Sequence, residues 1–328
     1  MQVLVTGATG FIGSHVVELL VQRGIPTAVL VRNQNRLAFL TSVLDMIQIR
    51  LGSILDPASL AAALDGITHV VHCAGLTRVC SPDEFLEGNY HGTKNVVDAV
   101  NHCGTTVQRL LHVSSLAAVG PCRVGERVTE EWPARPVSRY GMSKLKAEQE
   151  VLGRCETDFV VLRPPAVYGP RDDGFLSLFQ AVQRRIKPSL IGGTQQISLV
   201  FVKDLAAAIV AVLLHPAAMR TTYFVADRGV YSPDALADTV AYVMGVRAIR
   251  IKLPVQVMWF VCALQELGAR IRHRPVILNR QKYPEFTATA WVCDPSRLER
   301  ELGISCTTPL EDGMHETFRW YQKQGWLP

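Results

Sequence analysis

The stretch Thr6-Gly7-Ala8-Thr9-Gly10-Phe11-Ile12-Gly13 decides the fold of this chain. It follows a short apolar run, Val3–Thr6, and leads into an amphipathic segment, an order that predicts a strand, a tight loop and a helix. Gly7 allows a sharp turn, Gly10 lets the backbone approach a pyrophosphate, and Gly13 lets the helix pack closely on the strand. The helix N-terminus supplies amide donors and a positive dipole end. We therefore predict a dinucleotide phosphate site.

Outward from this loop, short β-rich runs alternate with amphipathic stretches through the first half of the chain. Several of the runs are apolar throughout, as strands of a sheet covered on both faces are. The alternation predicts an α/β fold, a doubly wound parallel sheet of the Rossmann type. The predicted strands are Val3–Thr6, Thr27–Val31, Met46–Leu51, His69–Cys73, Arg109–Ser114 and Phe159–Arg163, and the predicted helices are Ile12–Arg23, Pro57–Leu64, Pro82–Cys103 and Ser138–Leu152.

The pattern changes after about Pro164, where turn residues become frequent. One further α/β unit follows, a helix over Asp204–Leu214 and a strand over Thr222–Val225. The rest predicts a smaller, mainly helical C-terminal lobe that ends in an aromatic-rich helix. The expected division is a nucleotide-binding domain of residues 1–165 with about 198–226, and a substrate lobe of residues 166–197 and 227–328.

Composition narrows the class of protein. The chain has 328 residues, 48% of them hydrophobic, and a formal net charge of +5. That is enough apolar material for a large core. The basic residues form no dense run, so nucleic acid is not an expected partner. The eight cysteines form no C-x-x-C pair and no zinc-binding spacing, so we expect free thiols, no metal and a cytoplasmic location.

One apolar segment, Val255–Leu264, stands out in the C-terminal part. It is shorter than the ~20 apolar residues that span a bilayer, and the N-terminus carries no signal-peptide pattern. Ordinary core packing is the favoured interpretation, and lining of an apolar pocket is the second. A helix lying on a membrane surface is the third, because Arg270, Arg272 and Arg274 follow.

The residue at the end of the second strand selects the dinucleotide. An acidic side chain there would accept the ribose 2′-hydroxyl of NAD. Here Val31 is followed by Arg32, with Arg36 close behind. Because a guanidinium pairs with a 2′-phosphate, the sequence favours NADP(H), with NAD(H) as the alternative.

A pair of catalytic side chains is predicted on one helix. Tyr140 and Lys144 stand at i and i+4 and so share a face. A nearby ammonium and a cationic nicotinamide would both favour the phenolate, which would let Tyr140 act as an acid or base nearer neutral pH. Upstream, a predicted strand ends in Ser114 and Ser115, at the edge where ligands of such sheets bind. A hydroxyl there can hold a substrate oxygen.

With these motifs in order, the chain resembles the extended short-chain dehydrogenase/reductase family over nearly its whole length. The resemblance implies Ser115 as the catalytic hydroxyl, Tyr140 as the acid/base and Lys144 on the nicotinamide ribose. It also implies Ala74, Gly75, Pro164 and Val167 beside the cofactor. The matching pieces are Thr6–Gly13, Val71–Gly75, Asn89–Asn95, Val113–Ser115, Tyr140–Lys144, Leu162–Pro170 and Val200–Asp204.

Two departures from the family pattern bear on cofactor and substrate. Where the family often has Asp against the adenine, this chain has Ser53 and then Ile54. Where nucleotide-sugar epimerases often carry Asn, it has Ala166. The segment around Ala166, together with Arg32, is more similar to the 3β-hydroxysteroid dehydrogenase and dihydroflavonol reductase branch.

The favoured hypothesis is therefore an NADP-dependent oxidoreductase acting on a hydrophobic ketone or secondary alcohol. A nucleotide-sugar epimerase or dehydratase is the alternative, and a non-catalytic dinucleotide sensor is a minor one. The expected partner is a small-molecule substrate, and the resemblance implies a homodimer through the two long helices. Substrate contacts are expected from Thr77, Ser115, Tyr168 and Arg171.

Overall fold

A computed structural model of the chain describes residues 1–104, 106–190, 195–254 and 283–327. At its centre is a seven-stranded, wholly parallel sheet, which confirms the predicted doubly wound fold. Its strands are β1 (Val3–Thr6), β2 (Thr27–Val31), β3 (Ile47–Leu51), β4 (His69–His72), β5 (Arg109–Val113), β6 (Asp158–Arg163) and β11 (Thr221–Phe224), in the order β11-β6-β5-β4-β1-β2-β3.

Helices cover both faces of this sheet, which is why strands such as β1 and β2 are buried along their whole length. In the part of the chain that the structure describes, the α-helices are α1 (Phe11–Gln22), α2 (Pro57–Ala63), α3 (Asp83–Phe85), α4 (Gly92–His102), α5 (Arg139–Arg154), α6 (Leu176–Gln183), α7 (Val202–Leu214), α8 (Pro233–Val243), α9 (Tyr283–Thr287), α10 (Ser296–Leu302) and α11 (Leu310–Lys323). Helices α1 and α7 pack on one face, and α2, α4 and α5 pack on the other. Because these helices connect parallel strands, the carboxyl ends of all seven strands lie at the same edge of the sheet.

The single helix predicted over Pro82–Cys103 is wrong in detail. The segment runs as α3, a π-helix over Leu86–His91, and α4. The wider π turn brings Asn89 inward until it is 1% exposed. Gly88 is packed against Leu76 so closely that a Cβ would lie 2.6 Å from its Cδ1 atom. Single π turns inside α-helices are frequent at functional sites.

The C-terminal lobe is mainly helical, as predicted. Helices α6, α8 and α11 enclose an apolar core that includes Phe179, Val240 and Met314. The paired short strands of this lobe are β7 (Ala166–Tyr168) with β10 (Leu199–Phe201), β8 (Ile186–Leu190) with β12 (Ile249–Leu253), and β9 (Gln196–Ile197) with β13 (Ala290–Trp291).

The apolar segment Val255–Leu264 and the three arginines that follow it lie outside the described residues. Across the ranges that are described, none of the helices combines the length and the hydrophobicity needed to cross a bilayer.

Candidate active site

A cavity of about 1170 Å³ opens at the carboxyl ends of the strands. Its wall includes residues that follow β1, β2, β4, β5 and β6, which is where ligands of doubly wound sheets bind. The sequence-predicted site residues that line it are Gly7, Thr9, Gly10, Phe11, Ile12, Gly13, Arg32, Ser53, Ile54, Ala74, Gly75, Thr77, Ser115, Tyr140, Pro164, Val167 and Arg171.

The glycine loop has the shape that a pyrophosphate requires. Gly7 has φ of 72°, a left-handed conformation, and a Cβ there would lie 2.6 Å from the backbone nitrogen of Ala74. A Cβ on Gly13 would lie 2.3 Å from the carbonyl oxygen of Gly7. Gly10 is the N-cap of α1 and no side chain caps it, so the first-turn amides stay available to an anion. These residues fit a bound dinucleotide.

A second, smaller concavity of about 320 Å³ adjoins the cavity at the end of β2, with Thr9, Val31, Arg32 and Asn33 around it. Arg32 is exposed and carries the only charge among these four residues. The Asn33 side chain accepts a hydrogen bond from the backbone of Asn35 at 2.8 Å and so caps the turn that follows. The side chain of Arg36 is outside what the structure describes.

The edge of the cavity where the resemblance implies adenine contacts is built by a turn and carries no carboxylate at position 53. The Ser53 hydroxyl accepts from the backbone nitrogen of Leu55 at 3.2 Å, and its own backbone nitrogen donates to Ser59 at 3.0 Å. Ile54 packs on α4, where a Cβ on Gly92 would lie 2.5 Å from its Cδ1 atom. Ser53, which stands where the family often has Asp, therefore uses its hydroxyl and its backbone nitrogen in hydrogen bonds within the turn.

Tyr140 and Ser115 meet inside the cavity and share a side-chain hydrogen bond. Ser115 follows β5, and its hydroxyl accepts from the backbone nitrogen of Ala117 at 3.1 Å. The start of α5 is pressed against that turn, because a Cβ on Gly141 would lie 2.3 Å from the Ala117 carbonyl oxygen. Ser138 caps the same helix end at 3.0 Å. The two catalytic candidates are therefore held by backbone geometry.

The pKa of Tyr140 in the protein chain is set by burial and by two neighbouring side chains. The pKa of Tyr140 is raised to about 12, because burial and the charge of Glu285 raise it by more than the hydrogen bond with Ser115 lowers it. Burial is the largest of these effects, and it disfavours the phenolate. The side chain is thus a neutral phenol at neutral pH, which suits a proton donor.

Lys144 lies directly beneath the cavity and not on its wall. It is 4% exposed, and its Nζ donates to the carbonyl oxygen of Val113 at 2.8 Å. A Cβ on Gly75 would lie 3.8 Å from that Nζ. Burial lowers the pKa of Lys144 to about 8, against the opposing charge of Glu148. The ammonium is therefore within reach of a group bound over Gly75.

Asn89 links the segment after β4, at Leu76, to the catalytic helix α5. Sequence reasoning missed this role. Its amide accepts from the backbone nitrogen of Leu76 at 2.6 Å and donates to the Leu76 carbonyl at 3.0 Å. It also donates to the hydroxyl of Ser143 at 2.9 Å, and that hydroxyl donates to the Tyr140 carbonyl at 2.7 Å. The motif Asn89–Asn95 was visible in the sequence, but its π-helical geometry was not.

Glu285 and Trp291 are further wall residues that the sequence did not single out. Both come from the C-terminal lobe, on α9 and β13. The Glu285 carboxylate accepts a hydrogen bond from Ser138, and its backbone carbonyl accepts from the Trp291 indole at 2.8 Å. The lobe thereby closes over the N-terminal end of the catalytic helix.

Of the predicted substrate residues Tyr168 and Arg171, the first lies away from the cavity and the second lies on its wall in an ion pair. Tyr168 is fully buried in the C-terminal core, where a Cβ on Gly313 would lie 2.5 Å from its hydroxyl, so it does not reach the cavity. Arg171 does line the cavity, but its guanidinium donates to Glu18 at 2.6 Å and stacks over Phe39. Arg171 thus ties α1 to the C-terminal side of the cavity.

The neighbouring serines have different partners and should respond differently to substitution. Ser114 is 4% exposed and donates to the buried carboxylate of Glu148, whereas Ser115 faces Tyr140. We expect Ser115→Ala to lower turnover by ~10²-fold, as the loss of one transition-state donor does. Ser114→Ala should mainly cost about 1–3 kcal/mol of stability. Steady-state kinetics and thermal unfolding of both variants measure this, and the reverse ranking would refute the placement.

Comparison with known proteins agrees with this geometry. Residues 3–226 match the model of the NAD dependent epimerase/dehydratase family. A ceramide reductase from Caulobacter vibrioides is 29% identical over 99% of this chain and 96% of that protein. The human sterol-4-alpha-carboxylate 3-dehydrogenase, decarboxylating, is 31% identical over 58% of this chain and 50% of that one.

Solved structures show the same fold. A UDP-glucose 4-epimerase from Thermus thermophilus, in complex with NAD, superposes with a TM-score of 0.77 at 24% identity, over 98% of this chain and 99% of that one. The family match, the glycine loop and the paired Tyr140 and Lys144 agree with one another. The chain belongs to the NAD dependent epimerase/dehydratase family, within the extended short-chain dehydrogenases/reductases, and is an NAD(P)-dependent oxidoreductase.

Proposed function

We propose that this protein is an NADP(H)-dependent reductase or dehydrogenase of a hydrophobic ketone or secondary alcohol. The observation that carries the proposal is the nature of the cavity wall, to which Ser115 and Tyr140 belong. Carbon dominates it among the described residues, and apolar walls with a few placed polar groups bind apolar ligands. The apolar wall residues there are Leu116, Ala117, Pro165, Ala166, Ile197, Ala288 and Trp291.

The charges of the cavity also favour an apolar substrate over a nucleotide sugar. Among the described wall residues, the cationic side chains are Arg32, Arg78 and Arg171. Arg78 is paired with Asp173, and Arg171 is paired with Glu18. Arg32 lies at the opposite, adenine end. A diphosphate bound near Tyr140 would have to compete with carboxylates for both of the remaining guanidinium groups.

Two relatives point to the same class of substrate. One of them is named for a ceramide and the other for a sterol carboxylate, and both names therefore refer to lipids. Position 166 is Ala, whose methyl group cannot hydrogen bond to a phosphate. We infer that the substrate is a lipid-like ketone or alcohol.

The mechanism follows from the chain's own side chains. When bound, NADPH supplies the hydride that reduces the carbonyl carbon. The hydroxyls of Ser115 and Tyr140 hold the carbonyl oxygen, and Tyr140 donates its proton as negative charge develops there. The buried ammonium of Lys144 stabilises the phenolate that remains. Because its pKa lies well above neutral pH, Tyr140 carries the proton that reduction of a carbonyl requires.

A substrate panel tests this function. Purified protein is mixed with NADPH and, in separate assays, with a long-chain ketone in detergent micelles, a steroid ketone and UDP-glucose. We expect NADPH oxidation with one of the apolar ketones and neither oxidation nor epimerisation with UDP-glucose. Conversion of UDP-glucose to its 4-epimer, with both apolar ketones inert, would overturn the proposal in favour of the nucleotide-sugar alternative.

The cofactor preference rests on Arg32, and the variant Arg32→Asp should reverse it. Loss of a charge-assisted pair with the 2′-phosphate weakens NADPH binding by about 10–100-fold, while the new carboxylate can accept the 2′-hydroxyl of NADH. Fluorescence titration of both cofactors measures the change. Arg123→Asp, an exposed arginine outside the cavity, is the matched control. Equal affinity of the unaltered protein for NADH and NADPH would contradict the argument.

We propose a homodimer in which α4 and α5 of two protomers form a four-helix bundle. Met142 and Leu152 on α5 are 40% and 43% exposed, so that helix presents apolar side chains outward. An isologous contact is also the commonest oligomeric geometry. Light scattering at micromolar concentration should give twice the mass of the chain, and a monomeric mass would refute the proposal.

A further inference from the structure

A buried ionic cluster lies beneath the cavity, one helical turn beyond Lys144. Glu148 is fully buried and is held by Arg163, whose Nη2 donates at 2.6 Å and whose Nε donates to both carboxylate oxygens at 3.1 Å. Ser114 donates to the same carboxylate. The cluster therefore joins the carboxyl ends of β5 and β6 to the middle of the catalytic helix.

The groups that face Lys144 come from several elements. β5 supplies the carbonyl of Val113, and β4 with its following residue supplies His72 and Cys73. Burial lowers the pKa of His72 to about 3 and raises that of Cys73 to about 12, so both are neutral near pH 7. The pKa of His112, on β5, is also lowered well below its ordinary value by burial.

Glu148 therefore supplies the negative charge next to Lys144 among the described groups that face it. The Glu148 carboxylate is held in place by the hydrogen bonds from Arg163, and its backbone is held by helix α5. Tyr140, Lys144 and Glu148 follow one another at i, i+4 and i+8, so they rise along one face of the helix. A buried ammonium without a nearby anion would lose its proton, because burial penalises the charged form.

We propose that Glu148 is a positioning residue for catalysis that keeps Lys144 charged beneath the nicotinamide site, with Arg163 and Ser114 holding its carboxylate in place. Glu148 does not reach the cavity and acts only through Lys144. Its effect on the reaction is electrostatic, so it should change the pH at which Lys144 loses its proton. A residue that served only to hold the fold would not do so.

The test follows the titration of Lys144 directly and needs no substrate. The full-length protein is labelled with carbon-13 at the lysine ε-methylene, and the Lys144 signal is assigned by its absence in Lys144→Met. We expect the midpoint in unaltered protein to lie near pH 8. Glu148→Gln should lower that midpoint by about one pH unit, the order expected for a charge several ångströms away in a partly desolvated site. Glu150→Gln, on the same helix and paired with Arg154, is the matched control and should leave it unchanged.

Glu148→Gln leaves Arg163 buried without its carboxylate, which destabilises the fold. A second variant is therefore included in case the first does not fold. Glu148→Gln/Arg163→Gln removes both charges and should still titrate below the unaltered protein. Where turnover can be measured, the alkaline limb of kcat/KM should move to lower pH in parallel, and Glu148→Asp should restore it. A folded Glu148 variant whose Lys144 titrates at the unaltered midpoint would overturn the proposal.

Discussion

Tyr140→Phe should lower kcat by ~10²–10⁴-fold while leaving cofactor affinity nearly unchanged. The substitution keeps the ring, which packs against Phe85 at a centroid distance of 5.7 Å, and removes only the hydroxyl that shares a hydrogen bond with Ser115. The glycine loop and Arg32, where the phosphates are expected to bind, lie elsewhere in the cavity. Stopped-flow measurement of NADPH oxidation, with a separate fluorescence titration of NADPH, distinguishes the two effects.

Tyr223→Phe is the matched control for this experiment. Its hydroxyl also donates a hydrogen bond, to Glu301 at 2.7 Å, but it lies outside the cavity, so turnover should be unaffected. A Tyr140→Phe protein with near-normal turnover on the ketone that the unaltered protein reduces would require another proton donor. The mechanism would then have to be abandoned even though the fold would stand.

The parts of this site that could be predicted from sequence are those encoded locally. The loop of Thr6–Gly13 needs glycine at fixed positions because backbone atoms approach them, and the structure places a Cβ on Gly7 or Gly13 within 3 Å of another backbone atom. Likewise, the i,i+4 spacing of Tyr140 and Lys144 places them on one helical face. Both patterns can be recognised within a few consecutive residues, even though the contact that excludes a Cβ at Gly7 comes from Ala74.

What could not be predicted depends on partners far apart in the sequence. The buried carboxylate of Glu148 is held by Arg163, at the end of β6, and by Ser114, which follows β5. Tyr168 belongs to a family motif, yet the C-terminal core encloses it completely.

The protonation of Tyr140 likewise depends on the depth of its burial, which no spacing reveals. The π turn that orients Asn89 has no residue signature that distinguishes it from ordinary helix. The sequence thus predicts which side chains take part in catalysis, whereas their pKa values and the residues that hold them in place follow from the structure.

Lys144→Met should lower turnover by ~10²–10³-fold and should also weaken cofactor binding, in contrast to Tyr140→Phe. Methionine keeps most of the length of the buried side chain but cannot donate to the Val113 carbonyl or carry charge. Two effects then coincide. The phenolate formed when Tyr140 gives up its proton loses its stabilising cation, and any ribose bound over Gly75 loses a hydrogen-bond donor.

Lys323→Met is the matched control, because it makes the same substitution at an exposed position at the end of α11, outside the cavity. It should leave both quantities within a factor of about 2 of the unaltered protein, as surface substitutions usually do. Dissociation constants for NADPH and single-turnover rates for both variants separate binding from chemistry. If Lys144→Met bound NADPH normally and lost only turnover, Lys144 would act solely through Tyr140, and the ribose contact would have to be given up.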